Sequence, residues 1–151
     1  MFNYFKKKIK VKNPKQLTIA NLSKIVVPEL VNIGFTGTFP NFRRKQESLL
    51  SFVSFQFNKY GGSFVVEFAR TNDIDKDLPE FAKNENIPFE NLQGAYFSFA
   101  KNRIRLKPRN QLFSHWFSYK NFNNENQFEK LAQQVEKLLP IGEKFCQTGE
   151  K

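Results

Sequence analysis

A chain of 151 residues with a single cysteine, Cys146, and a single histidine, His115, is long enough to bury a core as one domain (residues 1–151), and it excludes an intrachain disulfide and a Cys/His metal cluster. No apolar run approaches the roughly 20 residues that span a bilayer, and the opening MFNYFKKKIKVK has charges with no apolar segment behind them, so neither a membrane span nor a secretory signal is expected and the cytoplasm is the default location. The formal net charge of +10 is concentrated at the two ends, because residues 61–100 hold three Lys/Arg against seven acids; the surplus points either to an anionic partner or to pairing between the ends and the middle.

In chain order, Met1–Lys12 alternates weakly, with Ile9 and Val11 set against Lys8, Lys10 and Lys12. It reads as a lysine-guarded edge strand or a mobile basic arm. Asn13-Pro14 can open a helix, with Asn13 as N-cap, Pro14 at the first helical position and Gln16 completing a box-like pattern. Ile19, Leu22, Val26, Leu30 and Ile33 then step by three or four and share one helical face. Pro28 lies inside that run, where it removes a backbone donor and crowds the carbonyl of Lys24, so a kink is expected there, or a helix that starts nearer Asn21. Gly34 is a left-handed stop.

A loop from Phe35 leads to a short strand around Asn41–Lys45. Consecutive Arg43, Arg44 and Lys45 cannot share a face of a strand, so Arg44 must point away from the other two, and whichever side is buried needs an acid or the sheet margin. The strongest local signal follows, in Ser48–Arg70. Val53, Phe55 and Phe57 fall on one face of an extended chain while Phe52, Ser54 and Gln56 fall on the other. After Tyr60-Gly61-Gly62-Ser63, Phe64, Val66 and Phe68 alternate with Val65, Glu67 and Ala69. Gly-Gly makes a reversal cheap, so a β-hairpin is predicted. A hairpin alone is marginal in water, and its apolar face requires a cover.

Thr71–Gly94 is acidic and irregular, with Pro79 and Pro88. Asp73, Asp75 and Asp77 have the spacing of the first ligands of a calcium loop, but Leu78 stands where the turn needs glycine and Asn84 where a bidentate glutamate should close the site. A solvated loop or a helix N-terminus is expected instead, and no cofactor or metal.

In Ala95–Arg109, the residues Lys101, Arg103, Arg105, Lys107 and Arg109 are spaced by two, which puts all five on one face of an extended chain with Ile104 and Leu106 on the other. Such a row repels itself unless water, acids or an anionic ligand offset it. It reads as a solvated face paired with Glu67 or the acidic middle, or as a surface for phosphates or an acidic protein. Pro108 ends the strand, so Arg109 can leave the row. Rings flank it: Tyr96, Phe97 and Phe99 before, Phe113, Trp116, Phe117 and Tyr119 after. Basic charge with stacking rings suits single-stranded nucleic acid, although no RNP-like, helix-turn-helix or KH signature is present and phenylalanine usually serves the core. His115 has neither a nucleophile frame nor an orienting acid nearby in sequence, and an imidazole anchored beside Trp116 is expected.

Asn124–Phe145 is an amphipathic helix. Phe128, Leu131, Ala132, Val135, Leu138, Leu139 and Gly142 keep helical spacing, Asn124 and Gln127 can cap the start, and Pro140 marks a bend or end. Cys146 lacks a redox partner and reads as incidental.

Pro28, Leu30, Gly34 and Phe35, the basic strand Asn41–Lys45, the strand Val53–Gln56, the strand Phe64–Ala69, His115-Trp116-Phe117-Ser118 and the closing helix together resemble the uncharacterised bacterial domain of unknown function 4304 family, with Phe117 where a second Trp is usual. The resemblance spans roughly residues 22–145, and its motifs are structural. It implies a fold and no mechanism.

The expected fold is α+β: an antiparallel sheet of about four to six strands, with a Pro-kinked N-terminal helix and a C-terminal amphipathic helix packed on one face. The other face is left for the basic row and the rings. The expected function is a non-enzymatic protein-interaction module, immunity-like or adaptor-like, that takes an acidic protein partner on a basic-aromatic surface drawn from Lys101, Arg103, Arg105, Lys107, Arg109, Arg43, Arg44, His115 and Trp116. Single-stranded nucleic-acid binding is the alternative, and an enzyme fits least, since no paired-acid, phosphate-loop or nucleophile constellation is present.

Overall fold

The computed structural model describes residues 11–97, 102–109 and 111–151. The predicted arm over Met1–Lys12 therefore lies almost wholly outside the described residues, as do Phe99 and Lys101. Two helices, α1 (Pro14–Ile25) and α2 (Val27–Asn32), lead into strands β1 (Thr36–Thr38), β2 (Asn41–Gln46), β3 (Leu49–Phe57) and β4 (Ser63–Thr71). Short helices α3 (Ile74–Asp77) and α4 (Glu80–Asn84) and two 3-10 turns (Phe89–Asn91 and Gly94–Tyr96) precede β5 (Arg103–Arg105), β6 (Phe117–Ser118) and the long helix α5 (Glu125–Thr148). The sheet is antiparallel in the order β1-β2-β3-β4-β5, with β6 pairing to the start of β4.

The α+β architecture is the expected one, and several of its local causes are as read from the residues. Pro28 cannot donate to the carbonyl one turn back, and the N-terminal helix breaks at Val26 between α1 and α2. Gly34 adopts φ 94° and lets the Phe35 amide reach back to the Leu30 carbonyl at 3.0 Å, closing α2. Gly61 and Gly62, at φ 85° and 83°, carry the β3–β4 reversal, and the hairpin pairs from Phe57↔Phe64 down to Leu50↔Thr71.

Two expectations about helix ends are corrected. Asn13 occupies the N-cap position but sits at φ 52° with no side-chain cap bond, so the box with Gln16 does not form. The box at the other end of the chain does: Asn124 Oδ1 accepts from the Gln127 amide at 3.1 Å while Gln127 Oε1 accepts from the Asn124 amide at 3.3 Å. Pro140, read as marking a bend or an end, does not end α5. The helix continues to Thr148 because Gly142, Phe145 and Cys146 prolong its buried stripe beyond the proline, and it closes at Gly149, φ 73°.

One face of the sheet presents Phe42, Val53, Phe55, Phe64, Val66 and Phe68, and α1, α2 and α5 cover it with Leu22, Val26, Leu30, Phe128, Ala132, Val135, Leu139 and Phe145. Gly142 is the point of closest approach: a Cβ built there would lie inside the envelope of the Phe68 ring. The opposite face carries more than the basic row and the rings expected there. The acidic segment after β4 folds back over it and forms a second, smaller cluster of Leu50, Phe52, Ala69, Leu92 and Phe97. Gly94 permits the crossing, because a Cβ at that position would stand 3.0 Å from the Ala69 Cβ and 3.3 Å from the Phe52 Cβ. The three aspartates that mimic a calcium loop instead start a helix: Asp73 Oδ1 accepts from the Lys76 amide at 3.2 Å, and Asp77 accepts from the Thr71 hydroxyl and the Asn102 amide.

Candidate functional site

The basic row is built on β5, and its strand geometry sends Arg103 and Arg105 to the second face while Leu106 enters the first core. Antiparallel register sets Arg105 opposite Glu67 and Arg103 opposite Ala69. The Glu67 carboxylate is fully buried, with Arg103 Nη1 on Oε1 at 2.9 Å, Arg105 Nε on Oε2 at 3.1 Å and the Gln56 amide on Oε1 at 3.4 Å. A desolvated carboxylate is costly unless its lone pairs are met by charged donors, and two guanidinium groups do so here. Arg103 and Arg105 thereby share one acid.

The remaining candidates separate. The strand ends at Arg105 and Lys107 is exposed beyond it. Arg109 leaves the row altogether and faces α5. Arg44 points to the first face, as alternation requires, and is buried there: Nη1 meets Glu143 Oε2 at 2.9 Å and the Ile33 carbonyl at 2.8 Å, and the guanidinium lies 4.4 Å over the Phe35 ring. Arg43 is on the second face, Nε donating to the Leu92 carbonyl at 3.2 Å. His115 is exposed and makes no hydrogen bond among the described residues, and Trp116 is partly exposed with its amide donating to Ser114 Oγ at 3.2 Å. Of the flanking rings, Phe97, Phe117 and Tyr119 are buried and Tyr96 packs edge-on against Phe81. Leu112 and Phe113 protrude instead, 77% and 95% exposed.

Arg109 joins two lysines that the row did not include. Lys130 and Lys137 on the outer side of α5, with Arg109 and the amides of Gln127, Gln133 and Gln134, surround a groove of about 710 Å³ whose floor is Phe122, Leu131 and Leu138. Their spacing of seven, two helical turns, next to Leu131 and Leu138 at the same spacing, was a sequence signal for a basic rim along an apolar stripe. Only the tertiary approach of Arg109 adds a third cation to the lining. Such a groove matches an acidic segment that carries apolar side chains.

No helix among the described residues is long and apolar enough to cross a membrane. No curated protein and no solved structure matches the chain. The family described as Domain of unknown function (DUF4304) matches residues 26–141, from the α1–α2 break to the middle of α5. That stretch takes in the whole sheet, the fold-back segment and both basic sides of the groove, and the chain belongs to this family.

Proposed function

We propose that the protein is a non-catalytic interaction module that takes an acidic segment of a protein partner in the groove between α5 and the residues after β5. The observation that carries this reading is the groove itself: an apolar floor of Phe122, Leu131 and Leu138 with Arg109, Lys130 and Lys137 around it. Exposed Lys107, Leu112 and Phe113 extend the same combination of charge and apolar surface along the adjoining loop. Cations at a rim raise association rates and select against basic partners, and the floor supplies the apolar burial that holds the complex. Arg103 and Arg105 serve differently, compensating Glu67 and holding β5 in place.

The test is capture from the source lysate on the immobilised chain, after nuclease treatment, comparing wild type with Lys130→Glu/Lys137→Glu. A discrete acidic protein should be retained by wild type and lost from the charge-reversed variant. Identical retention by both would overturn the groove as the site. Retained material that disappears with nuclease would replace this reading with nucleic-acid binding, whose affinity should then fall steeply with salt as counterions are released.

A further inference from the structure

A second cavity, of about 510 Å³, lies between the β1–β2 connection and residues 87–96. It is open to solvent, and its walls are mostly polar, with Asn41, Asn91, Gln93 and Tyr96 beside Phe39, Pro40 and Ile87; it holds one charge of each sign, Arg43 and Glu90. Strand alternation places Arg43 on this face while Arg44 goes to the core. The Nε–H bond to the Leu92 carbonyl, 3.2 Å, fixes the plane of its guanidinium, and the described residues offer the two terminal nitrogens no hydrogen bond. Burial lowers the Arg43 pKa and the charge of Glu90 opposes that shift, so the two groups share a field. Yet no ion pair within 4.0 Å joins them.

Two opposite charges held apart in one polar cavity leave room for a ligand that meets both. A carboxylate suits the two open nitrogens of a guanidinium fork, an ammonium suits the glutamate, and side-chain amides can satisfy either group's remaining positions. The volume is within the range of small-molecule sites. We propose that this cavity binds a small zwitterion of the α-amino-acid class, its carboxylate on Arg43 and its ammonium on Glu90. The site uses none of the groove residues and stands independently of the partner proposed above.

The experiment is a ¹H–¹⁵N NMR titration of the full chain with each standard L-amino acid. At least one should shift the side-chain amide signals of Asn41, Asn91 and Gln93 saturably. Its N-acetyl and carboxamide derivatives, each lacking one charge, should bind about tenfold more weakly or worse, the loss expected for a charge-assisted hydrogen bond. Glu90→Gln, at an exposed position, should weaken binding similarly without moving the unfolding midpoint, and Arg43→Lys should weaken it through the lost fork. The assignment is overturned if no amino acid shifts those signals, if the neutralised derivatives bind as well as the parent, or if Glu90→Gln binds unchanged.

Discussion

Glu67 sits in β4 between Val66 and Phe68, a position where an isolated carboxylate would be prohibitively desolvated, and its side chain has no solvent exposure. Arg103 and Arg105, 17% and 29% exposed, reach it from one neighbouring strand. Removing the acid's charge weakens a contact that both guanidinium groups share, although their partial exposure lets water recover some of the loss. Glu67→Gln should therefore cost about 2–4 kcal/mol, and Arg105→Ala less, because Arg103 keeps one carboxylate oxygen paired. Urea denaturation of both variants measures this; a Glu67→Gln protein as stable as wild type would refute the clamp. Glu67 was legible as one possible partner of the basic row. That two arginines would converge on it was not, since the β4–β5 register joins residues 36 and 38 positions apart across the fold-back segment.

Helix α5 was largely legible as an element, its stripe and capping box being written in local spacing. Its run past Pro140 to Phe145 was legible as well; what outweighs the proline's local cost there was not, because that burial depends on what lies beneath Gly142, Phe145 and Cys146. Gly142 tests that balance. Alanine in place of glycine normally gains about 1 kcal/mol inside a helix, but here the added methyl meets the Phe68 ring. Overpacking typically costs about 1–3 kcal/mol, so Gly142→Ala should be destabilising on balance. Combining it with Phe68→Leu should cost less than the sum of the two single changes, because the smaller side chain makes space for the methyl. A Gly142→Ala variant more stable than wild type would mean that α5 stands farther from the sheet than described. The opposite case is the groove: Lys130 and Lys137 were readable as a helical face, whereas Arg109 reached them only because the chain turns away from the sheet after Leu106.

Across the whole molecule, the helical layer closes over Cys146 so completely that burial pushes its thiol up to about 11, against the ordinary 9.0, with the Ser51 hydroxyl opposing the shift. The unfolded chain sheds that proton near pH 9 while the folded chain keeps it to about pH 11. Over this interval the unfolded state binds fewer protons, so the contribution is complete below pH 9 and falls as pH rises, by up to about 1.4 kcal/mol per pH unit. Denaturation curves of wild type and Cys146→Ala from pH 8 to 11 should converge or cross as pH rises; parallel curves would remove the thiol from the account. The sequence by itself determined the repeating backbone patterns: alternation in β3, β4 and β5, helical spacing in α1 and α5, the glycine reversal at Gly61-Gly62 and the cap at Asn124. These depend on neighbours a few positions apart. Tertiary structure alone decided which charges meet, joining Arg44 to Glu143 across 99 positions, folding the acidic segment onto the second face, and setting Arg43 and Glu90 in one cavity without contact. Register and packing govern those choices, and neither is encoded in a local period.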